Sequence, residues 1–117
     1  MKLHFTGIPP SLKNNKMLIG GSRPRLISSK AYREWEQAQM WLLSWRKKLP
    51  EPPYHINYVF KIKDKRKWDL SNKVESISDA LVHYGVIPDD NWSVIASYSV
   101  SWVKADEAGV EVEILNI

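Results

Sequence analysis

Apolar positions along this chain follow two rhythms, one of period two and one near 3.6. Lys2 to Ile8 alternates loosely and predicts a first strand, stopped by Pro9-Pro10. Ser11 to Pro24 is polar, basic and Gly-containing, which reads as a loop or a loose hairpin, and Arg25 to Ile27 reads as a short strand. Ser28-Ser29 then offers a helix N-cap, after which Ala31, Trp35, Ala38, Leu42, Trp45 and Leu49 recur at helical spacing, with Trp41 beside them. Lys47-Lys48 suits the last turn of that helix, and Pro50, Pro52 and Pro53 end it. Tyr54 to Ile62 alternates with Ile56, Tyr58, Phe60 and Ile62 on one face, which predicts a strand. A second helix is predicted over about Leu70 to Tyr84, closed by Gly85, and Pro88-Asp89-Asp90-Asn91 is a turn. Trp92 to Val103 and Val110 to Ile117 both read as strands, and the turn from Ala105 to Gly109 between them predicts a hairpin. The pattern sums to an α+β fold: one domain over 1–117, with a mostly antiparallel or mixed sheet and two main helices.

Composition narrows the class. At 117 residues, 44% hydrophobic and 26% charged, the chain is an ordinary globular domain with one core, to which a dimer interface would add useful burial. Six Trp and five Tyr supply candidates for core anchors and for interfaces. The absence of Cys excludes a disulfide scaffold, a thiol nucleophile and a Cys-ligated zinc site. No window is long and apolar enough to span a membrane, and Met1 to Phe5 lacks the apolar run of a signal peptide, so the expectation is a soluble, cytoplasmic protein with no membrane partner. Seventeen Lys and Arg against thirteen Asp and Glu give a net charge of +4, which suits a polyanionic partner.

The second helix holds the candidate chemistry. At about 100° per residue, Leu70, Val74, Ile77 and Leu81 form a stripe for burial, while Asn72, Glu75, Ser76 and Asp79 fall on the opposite face and Asp69 stands at the N-terminal edge. Glu75 and Asp79 are four apart and repel, and Lys73 lies off to the side. The basic run Lys61, Lys63, Lys65, Arg66, Lys67 precedes the helix, and the acidic pair Asp89-Asp90 follows it on a tight turn. Carboxylates flanked by cations make chemical sense if the carboxylates hold Mg²⁺ or Mn²⁺ and the cations hold phosphate, because Mg²⁺ takes oxygen ligands and commonly uses one or two carboxylates with substrate phosphate and water. From spacing alone, acids near a helix N-terminus and an Asp-Asp-Asn turn are equally ordinary structural features.

Arg66-Lys67-Trp68-Asp69-Leu70-Ser71-Asn72-Lys73, continuing through Asp79-Ala80-Leu81, Gly85 and Asp89-Asp90, resembles the central motif of RusA-type Holliday-junction resolvases. That motif runs basic residues, D-x-D-N, D-A-L, G and D-D. Ile8-Pro9-Pro10-Ser11, Asn14-Asn15 and the Ser29, Tyr32, Arg33 group are similar to the family's opening. The resemblance implies a homodimer that binds four-way DNA junctions and nicks two strands symmetrically with Mg²⁺ or Mn²⁺, typically encoded by bacteriophages and prophages. It implies Asp69 and Asp90 as catalytic acids. Two positions depart from the pattern: the second Asp of D-x-D-N is Ser71, and a family Lys aligns with Glu75. Ser71 and Glu75 lie about 40° apart around a helix axis, so Glu75 can restore the missing carboxylate. The expected metal set is therefore Asp69, Glu75 and Asp90 with Asp89 or Asp79 in support, and Lys73 is a candidate replacement for the family Lys as a transition-state stabiliser.

Lys13, Lys16, Arg23, Arg25 and Arg33 are candidates for a phosphate-contacting arm, and Lys63, Lys65, Arg66 and Lys67 for a rim beside the metal. Trp68 either stacks on an exposed base or covers the start of the helix, and Trp35, Trp41 and Trp45 suit a core or a dimer interface. His4, His55 and His83 are dispersed and form no ligand pattern. Two other functions stand beside the resolvase: a protein that binds branched DNA without cutting it, because of Ser71, and an interaction domain whose acidic turn is structural.

Overall fold

The computed structural model describes residues 1–10, 16–19, 25–28, 30–44 and 48–117, with the backbone alone for 16–19 and 25–28. Its main sheet contains β1 (Lys2–Thr6), β4 (Tyr54–Ile62), β5 (Ile95–Lys104) and β6 (Gly109–Asn116) in the order β1-β6-β4-β5. β6 runs antiparallel to both β1 and β4, whereas β5 runs parallel to β4. A separate antiparallel hairpin joins β2 (Lys16–Ile19) to β3 (Arg25–Ser28). The helices among the described residues are α1 (Lys30–Ala38), α2 (Met40–Ser44) and α3 (Leu70–His83).

Alternation gives the sheet one buried face. Leu3 and Phe5 of β1, Tyr54, Ile56, Tyr58 and Phe60 of β4, and Val110, Val112 and Ile114 of β6 all turn to one face and are buried. Val74, Ile77, Ala80 and Leu81 of α3 join them in a single core, as do Tyr32 and Trp35 of α1. Trp35 stacks on Phe5 with ring centroids 5.6 Å apart. Gly109 lets β6 approach β1 closely, since a Cβ there would meet the Phe5 carbonyl oxygen at 2.7 Å.

Four expectations are corrected. The strands at 95–104 and 109–116 form no hairpin: β6 inserts between β1 and β4, and β5 goes to the edge. The reason is the connection before β5, since parallel neighbours need a long crossover and α3 supplies it between β4 and β5. Trp92 precedes β5, which begins at Ile95. The predicted long first helix divides at Gln39, whose amide nitrogen donates to the carbonyls of Thr6 (2.9 Å) and Trp35 (3.2 Å) while its Oε1 accepts from Thr6 N–H (2.9 Å). This side chain ties the break to the end of β1, and the helical pattern read through to Leu49 stops short of Lys48. Ser76, placed on the outer face of the second helix, is fully buried because its hydroxyl donates to the Pro10 carbonyl at 2.7 Å. Ser29 and Trp45 lie outside the described residues.

Candidate active site

Helix α3 begins where Asp69 caps it. The Asp69 Oδ1 accepts hydrogen bonds from Ser71 N–H at 2.9 Å and from Ser71 Oγ at 2.7 Å. This is ordinary N-capping chemistry, with a carboxylate satisfying a first-turn donor. Ser71, standing where a carboxylate was expected from the motif, therefore points its hydroxyl at the neighbouring acid. Four residues along, Glu75 shares the Ser71 side of the helix. At the other end of α3, Gly85 takes φ +70°, a left-handed conformation suited to glycine, and its N–H donates to Val82 O at 3.0 Å.

The chain then enters a turn held almost entirely by its own polar groups. Asp89 Oδ1 accepts from Asp90 N–H (2.7 Å), Asp89 Oδ2 from the Asn91 amide (2.9 Å), and Asn91 Oδ1 from the N–H and hydroxyl of Ser93 (2.9 and 2.6 Å). The Asp90 amide and the Asn91 side chain hold the Asp89 carboxyl below the usual carboxylate range. Asp89 thus organises the turn, and Asp90 is the carboxylate it presents.

These elements meet in a cleft of about 360 Å³ lined by Tyr58, Ser71, Val74, Glu75, Ser78, Asp90, Trp92, Ile95 and Tyr98. Glu75 and Asp90, fifteen positions apart in sequence, line the same opening because the crossover brings the start of β5 back alongside α3. At its floor the Tyr58 hydroxyl and Ser78 Oγ are hydrogen-bonded at 2.9 Å. Burial pushes the Tyr58 hydroxyl up to about 12, with the Ser78 bond opposing and nearby Tyr98 and Asp90 adding to the shift. Asp69 touches this cleft through Ser71, and Asp79 faces away from it, accepting from the Tyr32 hydroxyl at 3.4 Å.

A basic cavity of about 540 Å³ lies beside the start of α3, lined by Ile8, Pro9, Pro10, Lys63, Asp64, Arg66, Lys67, Trp68 and Lys73 among others. Four cations face one carboxylate there. Asp64 orients Arg66, accepting from its N–H (3.0 Å) and its Nε (3.2 Å). Lys73 lines this cavity, and its Nζ sits over the Trp68 ring at 5.7 Å from the centroid. Burial, and then Arg66, hold the Lys73 ammonium below the ordinary lysine range. Trp68 packs edge-on against core Phe60, with centroids 5.5 Å apart. Lys65 joins Arg66, Lys67, Trp68 and Trp102 around an adjacent hollow.

The sequence matches the family model for endodeoxyribonuclease RusA over residues 8–115. The chain belongs to the RusA endodeoxyribonuclease family. No curated protein matched the sequence. Within this RusA-family fold the Ile8-Pro9-Pro10 opening acquires a physical role: it forms one wall of the basic cavity and is fastened to α3 by Ser76. No helix among the described residues is long and apolar enough to cross a membrane.

The expected site residues divide into groups. Glu75 and Asp90 share the cleft with Ser71, while Asp69 caps the helix beside it and Asp89 is engaged by the turn. No three His, Asp or Glu side chains among the described residues converge closely enough to hold a metal between them. The donors that do meet, two carboxylates with Ser and Tyr hydroxyls, are all oxygen, and this fits a hard divalent cation that completes its shell with water and phosphate. Lys65, Arg66, Lys67 and Trp68 gather at the basic side. Arg33 is exposed on α1. Lys16 and Arg25 lie at opposite ends of the β2–β3 hairpin, with their side chains outside the described residues, as are Lys13 and Arg23 entirely. Sequence reasoning missed Asp64, Tyr58, Ser78, Trp92 and Tyr98. Trp92 carried a usable signal, standing two positions after Asp90 in a turn otherwise made of small polar residues.

Proposed function

We propose that this chain is a divalent-cation-dependent resolvase that cuts four-way DNA junctions as a homodimer, by paired symmetric nicks. The observation that carries the reading is the shared cleft of Glu75 and Asp90 beside a cavity rich in cations, in a chain of the RusA family. Glu75 and Asp90 are assigned as the carboxylates that would hold Mg²⁺ or Mn²⁺ in the cleft, with Asp69, which caps α3 beside it, as the third acid drawn in when the cation binds, and Asp89 supports Asp90 by holding its turn. Such a cation supplies Lewis acidity, polarising the scissile phosphate and making the attacking water more acidic. Glu75 takes over from the carboxylate that Ser71 lacks, being one helical turn further along the same side of α3.

Lys63, Arg66, Lys67 and Lys73 bind the phosphates flanking the cut, with Asp64 fixing the Arg66 fork. Lys73, from the basic cavity, is also assigned charge stabilisation at the phosphate being cut. Tyr58, kept protonated by burial, donates or accepts at the floor of the cleft without adding a charge. A two-fold dimer suits a substrate with two equivalent strands, since each protomer offers one cleft to one strand.

The test is cleavage of an end-labelled four-way junction and of a linear duplex, with and without Mg²⁺, by the wild type and Asp90→Asn. Paired nicks confined to the junction, dependent on Mg²⁺ and lost in the variant are the expected result. Binding of the junction without cutting in Mg²⁺ or Mn²⁺ would overturn it.

A further inference from the structure

Beside the acids of the cleft stands a side chain with no evident structural task. Trp92 is 87% exposed, yet its neighbours are firmly held. The Asp89–Asn91–Ser93 hydrogen bonds brace the turn on one side, and on the other Val94 is buried with its N–H on Asn91 O at 3.1 Å. A braced turn carrying an almost bare indole is a costly way to build a surface, because large apolar side chains left in water gain nothing from folding. The indole also lines the same cleft as Glu75 and Asp90.

Tyr98 lines that cleft too and is 59% exposed, its ring held edge-on by Tyr58 at 6.0 Å. In the β4–β5 register Tyr98, Val100 and Trp102 pair with Ile56, Tyr58 and Phe60, so they continue the core face of the sheet. Trp102 is 62% exposed and lines the hollow with Lys65, Arg66 and Lys67. Exposed rings thus stand at both openings, Trp92 and Tyr98 at the acidic cleft and Trp102 at the basic rim, with Val100 between the two along β5. A cationic groove with exposed rings beside it is the arrangement that holds nucleic acid whose bases are unpaired, phosphates on the cations and bases on the rings.

We propose that Trp92, flanked by Tyr98, is the stacking platform for an unpaired nucleobase next to the phosphate being cut. The inference rests on the DNA-cutting reading above and assigns the structural feature of the DNA that the site detects. A fully paired duplex has no free base face to offer the indole. A branch point, where stacking is interrupted, does.

The experiment measures binding in EDTA, so that no cleavage intervenes, by wild type, Trp92→Ala and Trp92→Phe. The probes are a four-way junction carrying 2-aminopurine at the branch point, the matching linear duplex, and a single-stranded oligonucleotide. The expected result is about a ten-fold loss of junction and single-strand affinity in Trp92→Ala, most of it restored in Trp92→Phe, with duplex binding unchanged. The 2-aminopurine quenching seen on binding the wild type should be absent with Trp92→Ala. Equal affinities of wild type and Trp92→Ala for junction and single strand would overturn the proposal, as would an equal loss on all three probes. A change in the size of the Trp92→Ala assembly on a sizing column would also overturn it, by showing that the indole is covered by a second copy of the chain. A wild type that binds junction no better than duplex would sink the resolvase reading, whereas stacking is then judged on the single strand alone.

Discussion

The Tyr58 hydroxyl links burial, the cleft and pH in one group. Its value is pushed up to about 12, and burial together with Glu36 and Asp79 pushes that of Tyr32 higher still. An unfolded tyrosine titrates near 10, so above that pH the folded chain holds these protons more tightly than the unfolded one does. Their contribution to stability is complete below about pH 10 and is lost as pH rises toward about 12. Urea midpoints should therefore fall between about pH 9.5 and 12, in step with late tyrosinate absorbance. Tyr58→Phe should lose about 1 kcal/mol at neutral pH, with its Ser78 bond, and show a shallower alkaline fall. An alkaline fall as steep in Tyr58→Phe as in the wild type would count against the assignment. Ser71 shows the limit of reading residues singly: from the sequence it is a lost carboxylate, and in the fold it is a hydroxyl that orients Asp69.

Among the elements, α3 was the most legible. Of its stripe of Leu70, Val74, Ile77 and Leu81, the last three are buried as the 3.6 period required and Leu70 is partly so, and Gly85 closes it with a positive φ. The inward positions of β4 were equally plain. The partnership of β5 was not, because Ser97, Tyr98, Ser99, Val100, Ser101 and Trp102 alternate like any two-faced strand, and a short turn before β6 is local evidence for a hairpin. Pairing was decided by a non-local fact: β6, with Val110, Val112 and Ile114 all buried, has apolar demand enough for a central place. The break at Gln39 was illegible for a similar reason, since its partner Thr6 is thirty-three residues away. At this scale Asp69 has separable roles. Asp69→Ala should cost the helix cap about 1 kcal/mol, whereas Asp69→Asn should keep the cap and nearly wild-type stability. Both should lose cleavage. Full cleavage by Asp69→Asn, with its denaturation midpoint unchanged, would confine Asp69 to capping.

For the whole molecule, the arrangement of charge matters more than the net +4. The sequence showed the basic run and the acidic pairs but not that the β4–α3–β5 crossover stands them side by side, with Glu75 and Asp90 sharing a cleft and Asp89 spent on the turn. Family motifs pointed to the neighbourhood proposed as catalytic; the three-dimensional arrangement was needed to sort its members. If the rim carries phosphate, Lys65→Glu with Arg66→Glu should weaken junction binding and lower the slope of log affinity against log salt by about two, one for each phosphate no longer neutralised. An unchanged slope would remove these residues from the DNA path.

The most direct measurement is single-turnover cleavage of a labelled four-way junction in Mg²⁺ by wild type, Glu75→Ala and the double variant Ser71→Asp/Glu75→Ala. Loss of a cation ligand should slow Glu75→Ala by roughly a hundred-fold or more, and restoring the carboxylate at position 71 should recover much of the rate. Wild-type cutting by Glu75→Ala would contradict the account, because the carboxylate absent from position 71 would then need no replacement.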